Sequence, residues 1–253
     1  MWGHWEDVAK MARRAARSRA EISPWEVLQG SSSLWLGLPL LLAVALSLLA
    51  HAAHDFYGTY MASELGGVEL LQAVVIAGAA VLAAVTLAQP AVRRRPWLAA
   101  WLLLAVAGCV YTAGEEVSWG QHLFAWATPE PWQQFNDQGE TNLHNVSAWF
   151  DQKPRLILQI AILVGALALP LLRHTRLYPR NPRIAYLMPS LRCVPSAAMV
   201  AVIQVEGAVL DLMDGGLLLY YRPSEVQELF IYVTVAIYLT DLMLRIRRHT
   251  PPA

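Results

Sequence analysis

Six long apolar stretches divide the chain and constrain its fold more than any other feature. They cover residues 34–53, 67–88, 97–114, 155–173, 194–212 and 225–244. A helix of about 20 apolar residues crosses a hydrocarbon core roughly 30 Å thick and satisfies its own backbone hydrogen bonds there. Only 15% of the residues are charged, against roughly 25% in soluble domains. The sequence therefore predicts an all-α fold, a polytopic membrane bundle of six transmembrane helices.

Basic residues are sorted between alternate connections of these stretches. Sixteen of the 19 Lys and Arg residues lie before residue 20, at 93–95, at 173–192 and at 245–248. Cytoplasmic connections of membrane proteins carry such an excess, so we expect both termini in the cytoplasm. The Ala- and Arg-rich composition is typical of bacteria. The expected location is therefore the bacterial inner (cytoplasmic) membrane.

The chain is predicted to have two regions. Residues 1–30 are expected to form a cytoplasmic amphipathic segment, because Trp2, Trp5 and Val8 begin a helical stripe with arginines further along it. Such a helix lies in the membrane interface. Residues 31–248 are expected to form the transmembrane domain, and its long outer loop at 115–154 carries four tryptophans, which favour the headgroup region.

Acidic residues show the opposite bias to the basic ones. Thirteen of the 19 lie in connections or helix ends that are assigned to the outer side. Glu115, Ser118 and His122 are spaced so that a helix places them on one face. Glu140 and His144 are four residues apart, and a carboxylate and an imidazole at this spacing can share a metal ion or a proton. We therefore expect any chemistry on the outer side.

Further polar residues lie in or at the ends of the predicted spans. An ionised Glu206 would cost about 2.5 to 3.5 kcal/mol in lipid, so we expect it to face a protein interior, a partner or a water-filled cavity. Glu225 and Glu228 open the sixth span, with Tyr232 one turn further along the same face. Both glutamates also complement the helix dipole, which is a structural explanation for them. His54, at the end of the first span, is either a metal ligand or an ordinary interfacial residue.

The segment from Gly114 to Asn145 resembles a pattern found in uncharacterised bacterial multi-pass membrane proteins. The shared elements are an acidic pair before SWGQ, a TPE triplet and an N-x-Q-x-E-x-N-L-H-N run. In this sequence they are Glu115-Glu116, Ser118 to Gln121, Thr128 to Glu130, and Asn136 to Asn145. The resemblance implies no particular activity, but it strengthens the expectation that these polar residues form a site.

Three functions remain open at this point. The first is a membrane-embedded enzyme, in one version dependent on a divalent metal such as zinc, that acts on a lipid or lipid-linked substrate at the outer leaflet. The second is a non-enzymatic subunit or assembly factor of a membrane complex, with the tryptophan-rich loop as docking surface. The third is a proton- or cation-coupled transporter that uses Glu206. Membrane lipids and other membrane proteins are the expected partners, and the basic residues, being explained by topology, do not indicate nucleic-acid binding.

The enzyme hypothesis assigns roles to two groups of residues. The predicted catalytic residues are Glu115, Glu116, Ser118, Glu206, Glu225 and Glu228. The predicted metal ligands are His54, His122, Glu140 and His144.

Overall fold

A computed structural model describes residues 32–63, 66–133, 148–213 and 216–248. Within these ranges the chain is helical and contains no strand, which confirms the all-α prediction. Six main helices, α1 to α6, cover Ser32–Ala52, Gly67–Leu87, Pro96–Glu116, Ala148–Ile162, Val194–Leu212 and Pro223–Arg248. Their bounds agree closely with five of the six predicted stretches, because an apolar run of this length favours a single helix.

Short helical segments join the main helices. Two have π-helical hydrogen bonding, Tyr57–Met61 after α1 and Leu163–Ala168 directly after α4. The others are His54–Phe56, Pro90–Arg93, Ser118–Gly120, Gln121–Phe124, Glu130–Gln133, Leu169–Leu171, Pro182–Leu187 and Leu191–Cys193.

Five helical segments are long and apolar enough to cross a membrane. They are Leu34–Ala52, Gly67–Leu87, Pro96–Glu116, Pro182–Leu212 and Pro223–Arg248. The fourth predicted stretch corresponds to a shorter apolar helix, Arg155–Leu171. A sixth span and the cytoplasmic placement of the termini therefore stay predictions, and the predicted amphipathic segment at 1–30 lies outside the described residues.

The connection between α3 and α4 is shorter than the predicted loop. The loop was expected to reach residue 154, but α4 already begins at Ala148. Hydropathy detects only the apolar part of a helix, so the polar first turns of α4 were assigned to the loop. The loop also contains two short helices, Gln121–Phe124 and Glu130–Gln133.

Helix α6 occupies the centre of the bundle. It packs extensively against α2 and α5, while α2 also packs against α3. Most residues of α6 between Val226 and Leu242 are buried, so its polar side chains face protein instead of lipid, as the cost of polar groups in a membrane requires. We call the end of the bundle where α1, α3 and α5 finish the acidic end, and the opposite end the basic end.

Candidate active site at the acidic end

A contact between α3 and α6 forms the centre of the candidate site. Glu116 is the last residue of α3, and its Oε1 accepts a hydrogen bond of 2.6 Å from the hydroxyl of Tyr232. Tyr232 is buried, whereas Glu116 is partly exposed. The carboxylate is therefore held by a fixed donor on the central helix and can still meet a molecule that enters from outside.

An ion pair between α4 and α6 lies beside this contact. Arg155 is 2.6 Å from Glu228, from guanidinium nitrogen to carboxylate oxygen, and donates a second bond of 3.0 Å to the Ser224 carbonyl. The side chain of Arg155 is 26% exposed and that of Glu228 is 10% exposed. Arg155 also interacts electrostatically with Glu116. A positive charge and two carboxylates are thus brought together at the acidic end of the bundle.

Three glutamines on α4, α5 and α6 continue the polar contacts from this ion pair, and Gln204 is exposed on the bundle surface. Gln227 of α6 donates to Gln204 of α5 at 2.9 Å and to the Val200 carbonyl at 3.2 Å. Gln159 of α4 donates to the same Gln204 side-chain oxygen. These amides join α4, α5 and α6 through side-chain hydrogen bonds, which cost little in an apolar bundle only when every partner is supplied.

The turn that follows Glu116 is conformationally unusual. Ser118, Trp119 and Gly120 have φ angles of 46°, 54° and 90°, and the left-handed region costs a non-glycine residue roughly 1–2 kcal/mol. Trp119 donates to Glu115 at 2.7 Å and packs against Gly114. Strain of this kind persists only where surrounding contacts hold it, and it is common at functional sites. Here it ends α3 immediately after Glu116.

The loop after this turn is fixed by hydrogen bonds to a single residue. The buried Gln121 donates to the Thr128 hydroxyl at 2.7 Å, and Gln133 donates to the Thr128 carbonyl at 2.7 Å. Thr128 is itself buried. Parts of the SWGQ and TPE segments are therefore in direct contact.

Glu206 is buried, as expected for a carboxylate in an apolar span, and its side chain accepts hydrogen bonds from backbone amides. Its Oε1 accepts hydrogen bonds from the backbone amides of Leu219 and Tyr220, at 2.7 and 2.8 Å. The residue is 4% exposed, and its Oε2 has no hydrogen-bond partner within the described residues. Burial raises the pKa of Tyr220 to about 12, and the nearby charge of Glu206 contributes to the same shift. Glu206 thus anchors the connection between α5 and α6.

Glu225 is also part of a packed connection. Its side chain is 3.1 Å from Arg222, which has a φ angle of 51° and donates to the Ala62 carbonyl at 2.5 Å. Gln72 of α2 donates to the backbone carbonyl of Glu225 at 2.7 Å. Burial raises the pKa of Tyr57 to about 12, and the negative charge of Glu225 adds to the shift. These contacts close the acidic end between α1, α2 and α6.

The candidate metal ligands are not brought together by the described residues. His54 is exposed and packs edge-on against Tyr221, with ring centroids 5.2 Å apart. Glu140 and His144 lie outside the described residues, and only the backbone of His122 is described, in the helix Gln121–Phe124. In the described part of the chain, no three His, Cys, Asp or Glu side chains are placed to hold a metal ion. The metal site stays a prediction.

The remaining predicted catalytic residues lie around this centre. Glu115 accepts from Trp119, and Ser118 is buried in the strained turn. Sequence reasoning missed Arg155 as a site residue, and it missed the polar residues within apolar stretches. The rule that singled out Glu206, a polar group where lipid is expected, also identifies Gln72, Gln159 and Gln204.

No protein-family profile, curated protein or solved structure matches this chain. What the sequence and structure support together is a membrane-spanning helical protein with a polar cluster at one end of its bundle.

Proposed function

We propose that the protein is a membrane-embedded enzyme that acts on a lipid or lipid-linked substrate, with Glu116 as its general acid or base. The observation that carries this proposal is the hydrogen bond from Tyr232 to Glu116 at a partly exposed position beside Arg155. A carboxylate held in place near its substrate can take up and return a proton in the transition state. Its position at the end of an apolar helix suits a substrate that stays in the membrane.

The neighbouring groups have distinct roles in this proposal. Tyr232 orients the Glu116 carboxylate by its hydrogen bond. Arg155, held by Glu228, offers positive charge to a phosphate or another developing negative charge on the substrate, and a charge that is already in place stabilises it most effectively. Glu228 is then a positioning residue.

The metal-dependent version adds the loop histidines. A bound divalent ion lowers the pKa of its water to about 7 and so supplies a nucleophile. His144→Ala should then remove bound metal, measured on purified protein by elemental analysis, while expression is retained. A metal content equal to that of the wild type would contradict this version but not the role of Glu116.

The test of the main proposal compares turnover by Glu116→Gln and wild-type protein. Each is reconstituted into vesicles of bacterial polar lipid extract, and the lipids are followed by mass spectrometry. Loss of a general acid or base should lower the rate of lipid conversion roughly 100-fold or more. Asp211→Asn, an exposed change at the same end of the bundle, is the matched control and should keep the wild-type rate. Conversion by Glu116→Gln at the wild-type rate, or no conversion by any of the three proteins, would contradict the proposal.

The subunit hypothesis has one supporting observation of its own. Phe124 and Trp126 are exposed and stack on each other at the acidic end, with ring centroids 5.9 Å apart. Exposed aromatic residues are typical of docking surfaces, and equally of headgroup contacts. Stoichiometric co-purification of a membrane protein, lost in a Phe124→Ala, Trp126→Ala double variant, would favour this second function.

A further inference from the structure

The basic end contains an open cleft that the proposed enzyme site does not use. It has a volume of about 790 Å³ and lies where α2 leads into α3. Its lining includes three arginines, Arg94, Arg95 and Arg183, and one tryptophan, Trp97. No acidic residue is among those that line it. The cleft therefore carries a concentrated positive charge at one end of a membrane protein.

Unpaired donor atoms next to the cleft indicate what kind of ligand it takes. The buried Trp97 Nε1, Gln89 Nε2 and Tyr186 hydroxyl have no hydrogen-bond partner within the described residues. Trp97 lines the cleft, Gln89 immediately precedes one of its lining residues, and the Tyr186 ring lies 6.1 Å from the Trp97 ring. All three groups can donate a hydrogen bond. Buried donors are normally paired, so their concentration here calls for a ligand rich in acceptors.

The surrounding residues support this interpretation. Arg245 lies over the Tyr186 ring, 5.7 Å from its centroid, and its Nη2 is also buried without a partner within the described residues. Its Nε is 3.2 Å from Asp241, whose other oxygen is 2.9 Å from Arg192. The carboxylate of Asp241 is thus shared by two arginines, so basic groups outnumber this acid beside the cleft.

We propose that this cleft binds a phosphate group, and specifically the headgroup phosphate of an anionic phospholipid in the adjacent leaflet. Arginine forks match phosphate oxygens, and basic pockets between transmembrane helices bind anionic headgroups. Trp97 lies at the start of an apolar helix, where tryptophan marks headgroup depth. The acyl chains of the lipid then remain in the bilayer beside α2 and α3.

The test measures binding to the full-length protein in detergent by native mass spectrometry. The probes are dioleoylphosphatidylglycerol, the zwitterionic dioleoylphosphatidylcholine and inorganic phosphate. Replacing Arg94, Arg95 and Arg183 with Gln should weaken phosphatidylglycerol binding about a hundredfold. The matched control replaces three exposed arginines at the same end, Arg176, Arg180 and Arg247, with Gln. It removes the same charge and should bind as the wild type does.

A second variant keeps the test independent of folding defects in the triple variant. Trp97→Phe retains an aromatic ring against Tyr186 and removes only the Nε1 donor, so binding should weaken roughly tenfold. Cleft-dependent binding of phosphatidylglycerol supports the lipid as ligand, and cleft-dependent binding of inorganic phosphate alone supports a phosphate site for a soluble ligand. Equal losses in the cleft and control triple variants, or unchanged binding in both cleft variants, would overturn the proposal.

Discussion

Substitutions of Glu206 can distinguish a structural role of this residue from a role in transport. One oxygen, Oε1, accepts both backbone bonds, while Oε2 is buried without a partner within the described residues. Glu206→Gln keeps an acceptor oxygen for both amides, removes the charge and places an NH2 group where Oε2 lies. Glu206→Ala leaves the amides of Leu219 and Tyr220 without their acceptor.

The magnitudes follow from this geometry. Hydrogen bonds to a charged group contribute about 1.5–3 kcal/mol each, so the loss of both bonds in Glu206→Ala should lower the free energy of unfolding by about 3–6 kcal/mol. Glu206→Gln should change it by no more than about 1 kcal/mol, because losing the charge assistance is offset by relief from burying an ionised carboxylate. Asp211→Ala, an exposed change on the same helix, should be close to neutral.

Two assays check this reasoning. Denaturant titration in mixed micelles gives the unfolding free energies, and hydrogen–deuterium exchange reports on the 217–221 peptide, where Glu206→Ala alone should accelerate exchange. If Glu206→Gln were as destabilising as Glu206→Ala, the anchoring role would be wrong. If Glu206→Gln abolished gradient-driven uptake in proteoliposomes without changing stability, this result would favour the transport hypothesis.

Two further predictions concern the same end of the bundle. Arg155→Gln and Glu228→Gln should each destabilise by about 3 kcal/mol, since each removes one partner of a largely buried ion pair. The double variant should lose clearly less than the sum in denaturant titration, and additive losses would contradict direct pairing. The raised pKa values of Tyr57 and Tyr220, about 12 against 10.0, mean that the unfolded chain loses these protons first as the pH rises. Stability should therefore fall between pH 10 and 12, by up to about 3 kcal/mol for each tyrosine. A Tyr57→Phe, Tyr220→Phe double variant should show a shallower fall in thermal unfolding, and an identical pH dependence would exclude these groups.

The helices could be predicted from the sequence because a long apolar run has few alternatives. The bounds of α2 and α5 differ by at most one residue from the predicted 67–88 and 194–212. The fourth stretch, predicted as a span at 155–173, corresponds to the apolar helix Arg155–Leu171, which is shorter than the other five and contains the π-helical segment Leu163–Ala168. Hydropathy averages over such a change in backbone hydrogen bonding and does not detect it.

The site was predicted only in part, for a related reason. Glu116 and Glu228 were recognised by their charge, and the same-face relation of Glu228 and Tyr232 by helical spacing. The ion pair between Arg155 and Glu228 was not predicted. It joins α4 and α6, and tertiary packing decides which sides of these two helices face each other. The role of Glu206 also depends on contacts that are distant along the chain, since its partners lie 13 and 14 residues away in a connection without regular periodicity.

The strained turn after Glu116 can be tested through the residue against which its tryptophan packs. A Cβ at Gly114 would lie 2.8 Å from ring carbons of Trp119, whereas a Cβ at Gly108, on the same helix, would have nothing within 4 Å. Gly108→Ala should therefore keep or slightly raise stability, by up to about 1 kcal/mol, because alanine favours helix. Gly114→Ala should cost about 1–3 kcal/mol, because the ring must leave its place and with it the 2.7 Å bond to Glu115.

The decisive step is to repeat both changes in a Trp119→Ala background, where the clash is gone. Gly114→Ala should then become as well tolerated as Gly108→Ala, a change in sign that thermal unfolding of the four variants can measure. If Gly114→Ala is already harmless in the wild-type background, Trp119 does not hold the turn. The left-handed residues 118–120 would then be kept in place by the bond between Gln121 and Thr128. Because Glu116 lies between Gly114 and the turn, a displaced Trp119 should also lower any turnover that depends on Glu116, while Gly108→Ala leaves it unchanged.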